Sequence, residues 1–389
     1  MNLIQQGATV LMKSALTGQR GLLPDGFTLD EAYPILKRSH MDALVYEGAV
    51  NCGISGDSPL MENLFQRYCR HLMVSERQLR QVKRICAAFE ENGIDYLPLK
   101  GCRMKHLYPK PELRYMGDAD ILIRMEQYDR IICVMKTLGF QQGAETDHEL
   151  HWKHPELNLE LHKRLIPTYN EDFNEYYDIG WHKAVSCGGH YWAMGTEDEW
   201  LYLFTHFTKH FRDGGIGCRH MVDLWVYLSS HEGMNQQYLQ AELKKLHLLE
   251  FYENICRTLS VWFEEAEPDA ITDVITDCVF NNGSWGNEQT LLLSLSSRHS
   301  VTMSGAEGKL IYLWRVVFPD LYFMQRGYPV LKKAPWLLPA VWIYRLFRKV
   351  LIERGKVRKT KNAMDQLTTQ KLNARKQLLN ELGLEIRFK

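Results

Sequence analysis

Neither sign of charge predominates in this sequence: lysine plus arginine number 47, and so do aspartate plus glutamate, over 389 residues. That balance argues against a dedicated, highly basic nucleic-acid binder, and DNA is not an expected partner, although it leaves room for a local basic patch. No cysteine pair is spaced C-x-x-C. The nine cysteines (Cys52, Cys69, Cys86, Cys102, Cys133, Cys187, Cys218, Cys256 and Cys278) are scattered and odd in number, which fits reduced cytosolic thiols better than a disulfide framework or a zinc ribbon. Long apolar runs are also missing. The longest uncharged one, APWLLPAVWIY at 334–344, is too short to span a bilayer and contains two prolines. The opening stretch, MNLIQQGATVLMKSALTGQ, lacks a cationic start, a long apolar segment and a small-residue cleavage site. No signal peptide is read there, and a cytoplasmic protein is expected. Internal repeats and low-complexity tracts are absent.

What is present is ample apolar content, 45%, enough to bury a large core in two or three packed units. The hydrophobic period divides the chain into four. Residues 1–93 read as helical, with apolar residues at helical spacing over 29 to about 50 and over 59 to about 91, the second ending in Asn92-Gly93. Residues 94–196 read as an α/β core with expected strands at 94–99, 118–123, 149–153 and 157–163, a short helix at 102–108 and a longer one at 126–138. Residues 197–330 return to a helical period, with helices expected at 200–211, 221–228, 237–248, 251–264 and 309–322 and a Ser-rich loop at 294–304. Residues 331–389 form an aromatic and basic helical tail. The class is therefore α+β: a mixed-sheet core with N-terminal helices and a C-terminal helical domain.

Chemistry concentrates in the core. In Gly117-Asp118-Ala119-Asp120 the two aspartates sit at i and i+2 of a strand, so they share a face while Ala119 and Ile121 point to the core. Two carboxylates that close repel unless a cation lies between them, and hard divalent ions favour such oxygen ligands. In NLELH, Asn158, Glu160 and His162 share the polar face of another strand. Glu160 would supply a third carboxylate. An acid-x-acid triplet occurs by chance about half a dozen times in a chain like this, so the order of features carries the argument. A strand is followed by Lys100-Gly101 at a turn into a helix, then the aspartate pair, then an acid on a further strand. Backbone N–H groups at such a turn suit phosphate oxygens, and Gly101 permits close approach.

The stretch LPLKGCRMKHLYP…LRYMGDADILIR…LGF…HELHWKHPELNLELHKRL resembles a bacterial family of uncharacterised nucleotidyltransferases in the polymerase-beta-like superfamily. The likeness rests on Leu99–Gly101, Leu107-Tyr108-Pro109, Arg114 with 116–120, Leu138-Gly139-Phe140 and Glu160-Leu161-His162. More weakly, His206, Lys209, His210, Arg219 and Asp223 resemble a helical H-x-x-K-H … R-x-x-x-D region. The resemblance implies a polymerase-beta-like nucleotidyltransferase core with a helical domain behind it, and transfer of a nucleoside monophosphate from an NTP to an acceptor it does not name. It implies Asp118, Asp120 and Glu160 as catalytic and metal-holding residues for Mg²⁺ or Mn²⁺, with two ions expected. Lys100, Gly101, Arg114, Gly117, His162, Lys209 and His210 are then the candidate nucleotide contacts. One departure stands out: the superfamily usually has Gly-Ser or Gly-Gly at the phosphate turn, where this chain has Gly101-Cys102.

Other features have two readings each. Lys100 and Arg114 are phosphate cations or surface charges near a turn; Arg103 and Lys105 are weaker candidates. His162 either orients a carboxylate or is a structural histidine. His148, His151 and His154 lie three apart in an expected strand and loop, which alternates their faces, so a convergent zinc site is not expected. His206, Lys209 and His210 share one side of a helix and line a cleft or pack between elements. Asp223 is expected to pair with Arg219. The segment WLLPAVWIYRLFRKVL at 336–351 leads into a basic run at 345–361, read as a buried helix with a solvated tail, a membrane-surface helix, or an RNA contact.

Overall fold

The computed structural model describes residues 1–283 apart from 55, 57 and 169, then 318, 319, 321, 324, 328, 330–352 and 369–384. The helix expected at 309–322 and the loop at 294–304 lie outside the described residues almost entirely, as does most of the basic run. Met1–Phe211 with Gly215–Trp285 form one compact unit, and Arg212–Gly214 with Gly286–Lys389 another.

The first unit opens with α1 (Leu3–Thr17), α2 (Leu29–Arg38), α3 (Asp42–Asn51) and α4 (Pro59–Glu91). The single helix expected over 29–50 is two. The chain turns at Ser39-His40, where His40 takes a φ of +54° that a continuing helix does not allow. Helix α4 begins at Ser58, whose hydroxyl accepts from the Met61 N–H, with Pro59 at the first helical position.

A five-stranded mixed sheet follows: β1 (Tyr96–Leu99), β2 (Ala119–Ile123), β3 (Gln141–Glu145), β4 (Glu149–His154) and β5 (Leu157–His162). Their spatial order is β1-β2-β5-β4-β3, with β2 and β5 parallel and the other pairs antiparallel. Strand β3 is exposed along its whole length and carries no apolar alternation, which hid it from the period. One face of the sheet is apolar: Ala119, Ile121 and Ile123 of β2, Leu150 and Trp152 of β4, and Leu157, Leu159 and Leu161 of β5. It packs against Val82, Ile85 and Phe89 of α4 and Ile131, Val134 and Met135 of the crossing helix α6 (Tyr128–Thr137). The apolar contacts fix strand register, since a one-residue slip would move this entire set to the other face. Between β1 and β2 the helix is a single turn, α5 (Gly101–Met104), shorter than expected.

After α7 (Glu171–Tyr177) and a small hairpin, β6 (Ala184–Ser186) and β7 (Trp192–Met194), the chain is helical: α8 (Thr196–Asp213), α9 (Cys218–Ser230), α10 (Gln236–Lys245), α11 (Leu249–Phe263) and α12 (Ala270–Asn281). In the second unit α13 (Leu338–Ile352) and α14 (Thr369–Glu381) are described. No helix among the described residues is long and apolar enough to cross a membrane.

Candidate active site

The polar face of the sheet gathers the carboxylates. In the β2–β5 register Asp120 lies directly opposite Glu160, and in the β4–β5 register His151 lies opposite Glu160 and Glu149 opposite His162. Asp118 stands one residue before β2. Asp118, Asp120, Glu149, Glu160 and His162 line one cavity of about 290 Å³, which α8 and α9 close with His206, Lys209, His210 and Arg219. The sheet thus brings together the three acids read from the sequence. It also adds Glu149 and His151, which that reading missed. Their signal was present: Glu149 and His151 alternate on β4 as Glu160 and His162 do on β5.

The hydrogen bonds fix most of these side chains. Asp120 is almost fully buried, and its Oδ1 accepts from Lys100 Nζ at 2.9 Å and from His162 Nε2 at 2.8 Å. An ionised carboxylate only accepts, so His162 carries its proton on Nε2. Its buried Nδ1 has no hydrogen-bond partner among the described residues, and burial lowers the pKa of the ring, keeping it neutral. Burial alone would raise the pKa of Asp120, but Lys100 and His162 more than offset it and hold the carboxyl well below the usual range. Lys100 is correspondingly raised, because Asp120 outweighs its desolvation. Lys100 sits at a φ of +40° and ψ of −111°, a region sparsely used by residues with a side chain. Such a conformation costs on the order of 1–3 kcal/mol and persists only where surrounding contacts impose it.

The neighbouring acids behave differently. His151 bridges Glu149 (3.0 Å) and Glu160 (3.3 Å), and His148 Nε2 lies 2.9 Å from Glu149. Burial would raise Glu149, but the His148 hydrogen bond and the charges of the surrounding histidines bring it down to about 2. Glu160 is pushed up to about 8 by burial and then by the charges of Asp120 and Asp118. Asp118 is raised by burial and by Asp120. The three histidines at 148, 151 and 154 do not converge: His154 packs against Phe140, the rings tilted with centroids 5.0 Å apart, away from the other two.

These observations test the fit to a divalent cation. Donor atoms of Asp120, Glu160 and His162 lie within 4.8 Å of one another, as do those of Glu149, His151 and Glu160. Asp118 belongs to neither group, although it lines the same cavity. Glu160, shared by both groups, holds a proton at neutral pH because burial, and after it the charges of Asp120 and Asp118, disfavour its ionised form. The carboxylate oxygens of these sets suit Mg²⁺ or Mn²⁺.

The expected nucleotide contacts divide. Lys100, Gly101, Gly117, His162, Lys209 and His210 all line the cavity. Gly101 is tight for an internal reason: a Cβ there would meet Met116 at 3.0 Å and Arg114 at 3.1 Å. The close approach it permits is to its own chain. Cys102 is buried in the apolar cluster behind the sheet, so its thiol does not stand in for the missing hydroxyl. Arg114 also lines the cavity but is engaged: Nε and Nη2 donate to the two oxygens of Asp223 at 2.7 and 3.0 Å. Asp223 also pairs with Arg219, as expected, at 3.6 Å, more loosely than with Arg114. Arg103 pairs with Glu199 at 2.8 Å. Lys105 is buried, donating to Ser75 and to the Pro111 carbonyl. Neither lines the cavity.

The fold and this cavity define an α+β protein whose carboxylate-rich sheet face meets a basic helical wall. The family described as an uncharacterised nucleotidyltransferase matches residues 25–264, a span that includes the sheet, α8 and α9, and the chain belongs to that family. No curated protein and no solved structure matches it.

Proposed function

We propose that this chain is a metal-dependent nucleotidyltransferase of the polymerase-beta-like kind. It moves a nucleoside monophosphate from an NTP to a hydroxyl or similar acceptor on a small molecule, a protein or an RNA end. The observation that carries the reading is the register of β2 and β5, which sets Asp120 opposite Glu160 in a cavity that Asp118 also lines. Asp118, Asp120 and Glu160 would hold Mg²⁺ or Mn²⁺, as two ions. When bound, divalent ions neutralise the triphosphate and the attacking and leaving oxygens.

The chain's own side chains supply the rest. Lys100 and His162 hold the Asp120 carboxylate in place and ionised. Glu160, which lines the cavity, accepts the acceptor's hydroxyl proton in its ionised form. The acceptor oxygen bonds to the α-phosphorus as the bond from that phosphorus to the β-phosphate oxygen breaks, and pyrophosphate departs with the electron pair. Lys100, Gly101, Arg114, Gly117, His162, Lys209 and His210 surround the nucleotide. Positioning and charge, without a covalent intermediate, suffice for such a step.

A second reading has its own support. Lys100 and His162 already satisfy Asp120, and Cys102 offers no hydroxyl at the turn, as a catalytically weak nucleotide-binding regulator would have it. In that reading α13 and the turn before it (Pro335–Leu337) are a membrane-surface contact, since Trp336 of the turn and Ile343, Tyr344 and Phe347 of the helix are all exposed; a basic tail of this kind also admits RNA. Mass spectrometry of reactions with labelled NTPs, divalent metal and cell extract separates the two. A nucleotide-bearing product that disappears with Asp120→Asn supports transfer; NTP binding with no such product supports the regulator.

A further inference from the structure

We propose that the helical wall of the cavity is a metal-independent anion subsite centred on Arg219, which takes the pyrophosphate end of the nucleotide. The ligand's identity rests on the transferase reading; the site itself rests on geometry.

Two guanidinium groups share one carboxylate there. Asp223 is already saturated: Arg114 takes both of its oxygens at 2.7 and 3.0 Å, and Tyr108 Oη donates to Oδ1 at 2.7 Å. Arg219 pairs with it only at 3.6 Å through Nη1, its Nη2 donates to His220 Nε2 at 3.4 Å, and its buried Nε has no hydrogen-bond partner among the described residues. One positive charge is thus left over in a largely desolvated place, where Arg219 is only 14% exposed. Burial depresses the guanidinium's pKa, which Asp223 opposes and Arg114 reinforces. An unbalanced charge in such surroundings is unfavourable until a counter-charge arrives.

The surroundings select the counter-charge. Lys209, His206, His210 and His220 line the same wall, and the rings of His206 and His210 meet at 4.5 Å. Burial holds both of these imidazoles neutral, so each offers an N–H donor. The sheet side of the cavity is rich in carboxylates, so an anion settles against α8 and α9. A planar guanidinium whose Nε is unpartnered and whose two Nη groups are held only at 3.4 and 3.6 Å matches a phosphate group once it exchanges the His220 contact for an oxygen. Arg114 lines the cavity with both its donors on Asp223, and Arg219 is the guanidinium there that keeps an unpartnered donor.

The test is calorimetric titration of the full chain with inorganic pyrophosphate in EDTA. Wild type binds, and so does Lys13→Gln, which removes a surface charge elsewhere. Arg219→Gln, melting at the wild-type temperature, loses about ten- to a hundredfold in affinity. If that variant does not fold, Arg219→Lys keeps the charge without the fork and binds several-fold more weakly. Pyrophosphate that ignores wild type in EDTA, or that binds Arg219→Gln or a folded Arg219→Lys as tightly as wild type, overturns the subsite. Loss of nucleotide transfer is a separate result: pyrophosphate bound through Arg219 with no nucleotidylated product anywhere leaves the subsite standing and removes the transferase reading.

Discussion

Replacing Glu160 by glutamine should make the metal-free protein more stable, and more so as the pH rises. Glutamine keeps the side chain's size and lets its amide donate to His151 Nδ1, 3.3 Å from the Glu160 carboxyl, but it cannot ionise. The Glu160 pKa rises from 4.5 to about 8 on folding, through burial and the nearby aspartates. The folded protein therefore binds this proton more tightly than the unfolded chain does. The stability it contributes is complete below pH 4.5 and is lost as pH climbs to about 8. Above that, the ionised carboxylate costs the fold up to about 5 kcal/mol relative to glutamine. Urea unfolding in EDTA at pH 5 and pH 9 reads this directly. The two proteins should unfold at nearly the same denaturant concentration at the lower pH, and the variant should be clearly more resistant at the higher. Added Mn²⁺ should close the gap by stabilising wild type, since metal binding replaces the proton. Parallel unfolding of both proteins across this pH range would refute the claim that burial and the nearby aspartates disfavour the ionised form of Glu160.

The two aspartates should respond in opposite directions. Asp120→Asn leaves Lys100 buried without its partner and should destabilise the protein by about 3–5 kcal/mol, whereas Asp118→Asn relieves repulsion and should raise the melting temperature in EDTA; equal shifts of the same sign would contradict this pairing scheme. For α13, wild type should sediment with anionic vesicles more than with zwitterionic ones, and Trp336→Ala combined with Phe347→Ala should abolish the difference. Identical pellets for both proteins would remove the membrane-surface reading.

Much of the site could be read from the sequence because strand alternation is strict. Asp118, Asp120, Glu160 and His162 all reach the cavity, since each lies on the polar face opposite Ala119, Ile121, Leu159 and Leu161. Lys209 and His210 followed from helical spacing. What could not be read was strand order. The β4–β5 hairpin, two strands joined by Pro155-Glu156, sets His151 beside Glu160; the alternation was there to read, but the pairing register was not, and neither was the placement of β5 beside β2. The partner of Arg114 was hidden for the same reason, because Asp223 lies 109 residues further along. Strand β3, exposed throughout, has no burial pattern to read. The break between α2 and α3 depends on one left-handed residue, His40, which an apolar pattern does not mark.

The most direct measurement is Mn²⁺ binding followed by electron paramagnetic resonance at pH 8.5, with and without NTP. The free-ion signal should fall as wild type is added and fall further with NTP present. Asp120→Asn, Asp118→Asn and Glu160→Gln, each shown to be folded, should weaken binding by about tenfold or more. Folded variants that take up Mn²⁺ as tightly as wild type would contradict the assignment of these three carboxylates to a metal.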